Sequence, residues 1–81
     1  MHFQFCIKHM MQEGCKYKRP DWEGYWEWKG GTILMHCADG AVIDIRETED
    51  VEFTLKNVLS ADWMMATPAN CPVMAREMSA N

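Results

Sequence analysis

Apolar side chains at Phe3, Cys6, Ile7, Met10 and Met11 recur at the i, i+3, i+4, i+7, i+8 spacing that lines one side of a helix. Gly14 follows, where helices commonly end in a left-handed residue. The pattern predicts an amphipathic helix from Phe3 or Gln4 to Glu13, with no good capping residue ahead of its first turn. Cys15 to Arg19 alternates and predicts a short strand, closed by a turn at Pro20-Asp21.

The period then changes from helical to alternating. Tyr25 to Lys29, Gly30-Gly31 and Thr32 to Cys37 read as a hairpin, because two glycines supply the positive φ that a two-residue loop needs. That loop sets the register: Lys29 opposite Thr32, Trp28 opposite Ile33, Glu27 opposite Leu34 and Trp26 opposite Met35. Trp26, Trp28, Ile33 and Met35 then share one side of the sheet. A second turn at Asp39-Gly40 leads into Ala41 to Ile45 and, read as a two-residue loop, places Ile43 and Ile45 on the other side with Leu34 and His36. The result is a three-stranded meander, apolar on both sides, with one substantial helix to cover it. An uncovered apolar face is a larger patch than a monomer usually leaves in water, so the pattern predicts self-association.

Beyond the meander, Glu47 to Glu52 reads as an acidic, solvated loop. Thr54 is expected to cap a short helical turn carrying Leu55, Val58 and Leu59 inward, and Trp63 to Ala66 to form a last strand. The predicted fold class is α+β, an N-terminal helix on a small antiparallel sheet, oligomeric. Residues 1–66 form the domain. Residues 67–81 form a tail, expected to be loosely held or docked on a neighbouring chain.

A domain of 81 residues buries too little surface for comfortable stability, and the four cysteines contain no Cys-x-x-Cys pair. No charged-then-apolar leader or long apolar run is visible, so a reduced cytosolic protein without membrane contact is expected. The formal net charge of −4 argues against polymeric nucleic acid held by its phosphates, but not against a small anionic ligand.

Metal chemistry finds little support. His36 and Cys37 are adjacent and point to opposite faces of a strand, while His2, Cys6 and His9 would all have to share one side of the first helix and recruit a fourth ligand. No nucleophile has a recognisable catalytic surround, and no phosphate-cradling glycine loop is present. No metal, cofactor or catalytic residue is therefore expected. Arg19, Asp21 and Trp22 stand apart: a guanidinium, a carboxylate and an indole suit phosphate, a ribose or base edge, and a purine face respectively. The competing reading is structural, with Trp22 plugging the sheet and Arg19 paired to Asp21. Trp63 reads as core, Asp62 as exposed at a strand start, and Trp26 as packing or as a stacking wall at a subunit boundary.

Gly14-Cys15-Lys16-Tyr17-Lys18-Arg19-Pro20-Asp21-Trp22 after a helix, Ile33-Leu34-Met35-His36 with Asp39-Gly40, and Leu59-Ser60-Ala61-Asp62-Trp63 together make a longer signature. Over roughly Phe3 to Ala66 the chain resembles the small phage domain of the second Thoeris anti-defence type. The tail beyond Thr67 has no counterpart. The resemblance implies a sponge that captures cyclic nucleotide immune signals, cyclised ADP-ribose isomers and in some members cyclic di- or trinucleotides, and holds them uncleaved in the host cell cytoplasm. It further implies a homotetramer, or failing that a dimer, with pockets between subunits. Carried over residue by residue, the ligand-binding candidates are Trp22 and Asp62, then Arg19 and Thr48 or Asp50, with Trp26 as a stacking wall. An enzyme degrading the same signal and a protein-interaction module using Glu47 to Glu52 and the tail are the alternatives.

Overall fold

The structure, a computed structural model, describes residues 1–79. Helix α1 (Phe3–Glu13) leads into β1 (Tyr17–Lys18), β2 (Tyr25–Lys29), β3 (Thr32–His36) and β4 (Val42–Asp44); a 3-10 turn (Ile45–Glu47), α2 (Val51–Val58), β5 (Met64–Met65) and α3 (Pro72–Ser79) follow. The five strands form one antiparallel sheet in the order β4-β3-β2-β1-β5. The fold is α+β, as the pattern predicts.

Helix α1 packs on the face of Tyr17, Trp26, Ile33 and Met35 through Cys6 and Met10, with Phe3 and Ile7 alongside. Met11, at the edge of the apolar stripe, stays exposed. The helix ends as expected: Gly14 adopts φ 71° and returns its N–H to the Met10 carbonyl. His2 precedes the helix and contributes no side-chain cap. Under the helix, Trp63 meets Trp26 at 5.0 Å and Phe3 at 5.1 Å between ring centroids.

The first hairpin has the expected register throughout, from Lys29 opposite Thr32 to Trp26 opposite Met35. The second does not. Gly40 at φ 90° closes a three-residue loop, Ala38 to Gly40, in which Gly40 donates to the Cys37 carbonyl and Cys37 pairs with Ala41. The longer loop slips the partner by one residue, so Ile43 faces Met35 and joins the helix side, while Val42 faces His36 and Asp44 faces Leu34. Ile45 leaves the strand altogether and packs at the edge of the main core.

This slip corrects the inference of two apolar faces. The outer face carries Lys18, Tyr25, Glu27, Thr32, His36 and Asp44, with Leu34 and Val42 between them, and most of its polar side chains contact one another. Thr32 donates to Asp44 at 2.8 Å, and Asp44 also takes a bidentate contact from Arg46, which holds its carboxyl well below the usual carboxylate range. His36 lies between Glu27 and Glu77, its Nδ1 3.1 Å from the Glu77 carboxylate, and stacks on Tyr25 at 4.2 Å.

Glu77 belongs to α3, which corrects the second expectation: residues 67–79 of the expected tail include a helix packed on this chain's own sheet. Cys71, Val73 and Met74 form a second small core with Tyr25 and Ala66. Val73 N–H donates to the Glu23 carbonyl at 3.0 Å, Arg76 to the Ala38 carbonyl at 3.0 Å, and the buried Lys18 ammonium to the Asn70 carbonyl at 2.8 Å. Burial in this core, with the Glu77 carboxylate at its hydroxyl, pushes the Tyr25 phenol far above its ordinary value.

Helix α2 is the third correction. Its cap is Asp50, which accepts from the Phe53 N–H at 3.0 Å, rather than Thr54. Its buried side chain is Asn57, whereas Leu55 and Leu59 are 54% and 80% exposed. Val51, Leu55 and Leu59, at i, i+4 and i+8, form an outward apolar stripe.

Gly24, at the entry to β2, has the least room of the five glycines. A Cβ there would lie 1.9 Å from the His36 carbonyl oxygen and 3.0 Å from its carbon, both backbone atoms that have no rotamer to escape into. Gly24→Ala should therefore destabilise the domain by about 1–3 kcal/mol, read as a lowered urea midpoint with unchanged slope. Gly14→Ala meets no atom within 4 Å and suffers only from its positive φ, so it should cost less.

Candidate functional site

Next to Gly24 the segment Asp21 to Gly24, the end of β3 and the segment joining β4 to α2 enclose an open cleft of about 460 Å³. The chain turns at Pro20-Asp21, with the Trp22 N–H returning to the Arg19 carbonyl at 3.1 Å, and this turn presents the Trp22 indole to the cleft. Trp26 and Met35 form its floor from β2 and β3, with Ile43 beside them. Thr48, which ends the 3-10 turn, and Phe53, in the first half of α2, line the side toward that helix. The volume lies within the roughly 300–1,000 Å³ of small-molecule sites.

Trp22 is half-buried and tilted against its neighbours, 5.4 Å and 44° from Trp26 and 5.2 Å and 83° from Trp63. The indole packs on the core cluster, as the structural reading has it, and also lines the cleft.

Arg19 and Asp62 stand outside the lining and are joined to each other. Arg19 Nε and Nη2 reach the two Asp62 oxygens at 2.8 and 3.2 Å, and Nη1 donates to Asn57 Oδ1 at 2.7 Å. The expected Arg19–Asp21 pair is therefore replaced by an Arg19–Asp62 pair between residues flanking the adjacent strands β1 and β5. Asn57, 1% exposed, uses its remaining groups inside the fold: Nδ2 donates to the Phe53 carbonyl, and its own carbonyl accepts from Trp63 Nε1, both at 2.9 Å. Arg19, Asn57 and Asp62 thus tie α2, the end of β1 and the start of β5 together behind Trp22. Asp50 is engaged in capping α2 and is not part of the lining.

Of the six residues expected from the sequence, then, Trp22, Trp26 and Thr48 come together in the cleft, and Arg19, Asp50 and Asp62 serve its framework. The lining also holds Asp21, which the sequence reading offered for a ribose or base edge, and residues it did not assign to a site, among them Glu23, Cys37 and Phe53. Asp21 was visible in the motif as a carboxylate beside Trp22. Phe53 carried no signal, because its stretch read as loop. Burial, then the Asp39 carboxylate, pushes the Cys37 thiol up, so it is a poor nucleophile at neutral pH. Among the described residues no group of three or more His, Cys, Asp or Glu side chains is placed to hold a metal ion, and no helix is long and apolar enough to cross a membrane.

Comparison of the chain with protein-family models, with curated proteins and with solved structures finds no match.

The Arg19 guanidinium holds the Asp62 carboxyl below its ordinary value by direct hydrogen bonding. A carboxyl depressed in the folded state favours folding at pH values above its unfolded midpoint, about 3.9. That contribution fades as the pH falls through this value toward Asp62's own lower midpoint. Arg19→Ala should accordingly raise the Asp62 midpoint, followed by carboxyl-carbon NMR, toward the ordinary value and flatten the acid limb of stability against pH. A midpoint unmoved by the substitution would mean that the pair does not form in solution.

Proposed function

We propose that this protein is a sponge: it captures cyclic nucleotide immune signals, cyclised ADP-ribose isomers above all and cyclic di- or trinucleotides in addition, and holds them uncleaved in the host cell cytoplasm. The observation that carries the reading is the aromatic cleft of about 460 Å³ built on Trp22, the same residue that the resemblance to the Thoeris anti-defence domain singles out. Capture needs a shaped cavity with stacking surface and no reacting group. The cleft has indole and phenyl surface, the Thr48 hydroxyl, the Asp21 and Glu23 carboxylates, a His36 whose ring is engaged by Glu27 and Glu77, and a Cys37 thiol pushed up by burial.

In this reading Trp22 stacks a base and Trp26 supports it from the floor, while Thr48 bonds to the sugar. The Arg19–Asp62–Asn57 tie holds the turn that presents Trp22, rather than meeting phosphate itself. Stacking of one base on one indole contributes roughly 1–3 kcal/mol. Tight capture therefore needs further contacts, and a second copy of the chain supplies them most simply. Homo-oligomerisation, as a tetramer or a dimer, rests here on the apolar stripe of Val51, Leu55 and Leu59 on α2 and on exposed Val42 and Ile43 at the sheet edge, not on a bare sheet face.

Calorimetric titration with a cyclised ADP-ribose isomer is expected to give saturable binding, and heating the complex should return the ligand intact. Trp22→Ala should weaken binding roughly 5- to 150-fold. Ligand should also slow maleimide labelling of Cys37. Recovery of a cleaved product would make the protein an enzyme, and unchanged affinity in the Trp22 variant would remove the cleft from the reading.

Light scattering at micromolar concentration is expected to report a multiple of the chain mass, reduced in a Leu55→Glu, Leu59→Glu variant. A monomer mass for the unsubstituted chain would confine capture to the cleft of a single subunit.

A further inference from the structure

We propose that the cleft takes the aminopurine end of the ligand, between Trp22 and Phe53, with the exocyclic amine donating to Asp21 or Glu23 and the phosphates left outside. This rests on the sponge reading of the same cleft and specifies which part of the ligand enters it.

The chemistry of the lining separates the two ends of a nucleotide. Its charged side chains are Asp21 and Glu23, both exposed at the rim, and no Lys or Arg belongs to it. A carboxylate is an acceptor only, so it rewards a donor such as an exocyclic amine and opposes a phosphate oxygen. Arg19 lies outside the lining and meets Asp21 through its field, while its hydrogen bonds go to Asp62 and Asn57. Other arginines are likewise engaged elsewhere: Arg46 with Asp44, and Arg76 with the Ala38 carbonyl. A phosphate in the cleft would therefore lose its water without gaining a cation.

The apolar part of the lining favours a flat ring. Trp22 comes from the turn before β2 and Phe53 from α2, so two aromatic side chains on separate segments border one space. Phe53 is 49% exposed, leaving surface for a ligand to cover. The two carboxylates flank Trp22 in sequence, and both residues are exposed and line the cleft.

The test is competition calorimetry with adenosine, inosine and inorganic pyrophosphate against a bound cyclised ADP-ribose isomer. Inosine keeps the ring and sugar but replaces the amine with an oxygen, so it should compete at least tenfold more weakly than adenosine, in line with a charge-assisted hydrogen bond. Pyrophosphate should not compete. The Asp21→Ala, Glu23→Ala double variant, which removes both acceptors, should lose the preference for adenosine while keeping its thermal midpoint, since both side chains are exposed. Binding of the cyclic ligand with equal competition by adenosine and inosine, displacement by pyrophosphate, or discrimination retained in the double variant would each overturn the proposal and leave the sponge reading standing. Failure of every cyclic nucleotide to bind, with adenosine still preferred over inosine, would overturn the sponge reading and leave an aminopurine site.

Discussion

The packing of Trp63 is the interaction on which the other elements depend. This side chain, 3% exposed, touches Phe3 of α1, Trp26 of β2 and Trp22 of the intervening turn, and its Nε1 donates to the Asn57 carbonyl of α2. Four other segments of the chain therefore converge on one indole. In a domain with so little interior, removing such a residue costs about 3–5 kcal/mol, a large share of the stability available. Its neighbour Asp62 adds a directional restraint by receiving Arg19, so the last strand is fixed both by burial and by hydrogen bonding. The same contacts orient Trp22, and the cleft inherits its shape from the core instead of from a flexible loop.

Legibility in the sequence follows the range of the forces involved. The first hairpin was readable to the residue because Gly30 and Gly31 both take positive φ, which fixes a two-residue loop and with it every cross-strand pair. At Asp39-Gly40 the same local signal was compatible with a loop of two or of three residues. The Cys37 to Ala41 pairing decides between them, and parity does the rest: one additional residue sends Ile43 to the opposite face. The error then spread upward, because the supposed second apolar face was the premise for self-association. What lies on that face is a set of Glu, His, Tyr, Thr and Asp side chains satisfying one another.

Helices α2 and α3 were harder to read, for different reasons. In α2 the inward position is held by Asn57, whose amide meets Arg19, the Phe53 carbonyl and, through its backbone, Trp63. An apolar-periodicity argument assigns the inward face to leucines and so inverts this helix. A buried amide has no signature in sequence until its partners are known. In α3 the anchoring contacts run to Glu23, Ala38 and Tyr25, some 40 to 50 residues away, and eight residues with modest apolar content give no reason to expect them. The candidate site shows the same division. Trp22 and Trp26 were legible as large aromatic residues near a turn, while the membership of Phe53 depends on where α2 begins, which Asp50 sets by capping.

On the proposed reading, the electrostatics of the cleft would let a small acidic protein discriminate among nucleotides by charge placement. Its net charge of −4 already disfavours a polyanion, and the rim carboxylates of Asp21 and Glu23 repeat that preference at the mouth of the cleft. A polymer would have to bring neighbouring phosphates past both carboxylates to insert one base. A compact ligand can turn its phosphates away while its ring stacks on Trp22. Selection by size then follows from charge placement combined with an apolar floor, two features that the fold secures separately, the first in a solvent-exposed turn and the second in the Trp63 cluster.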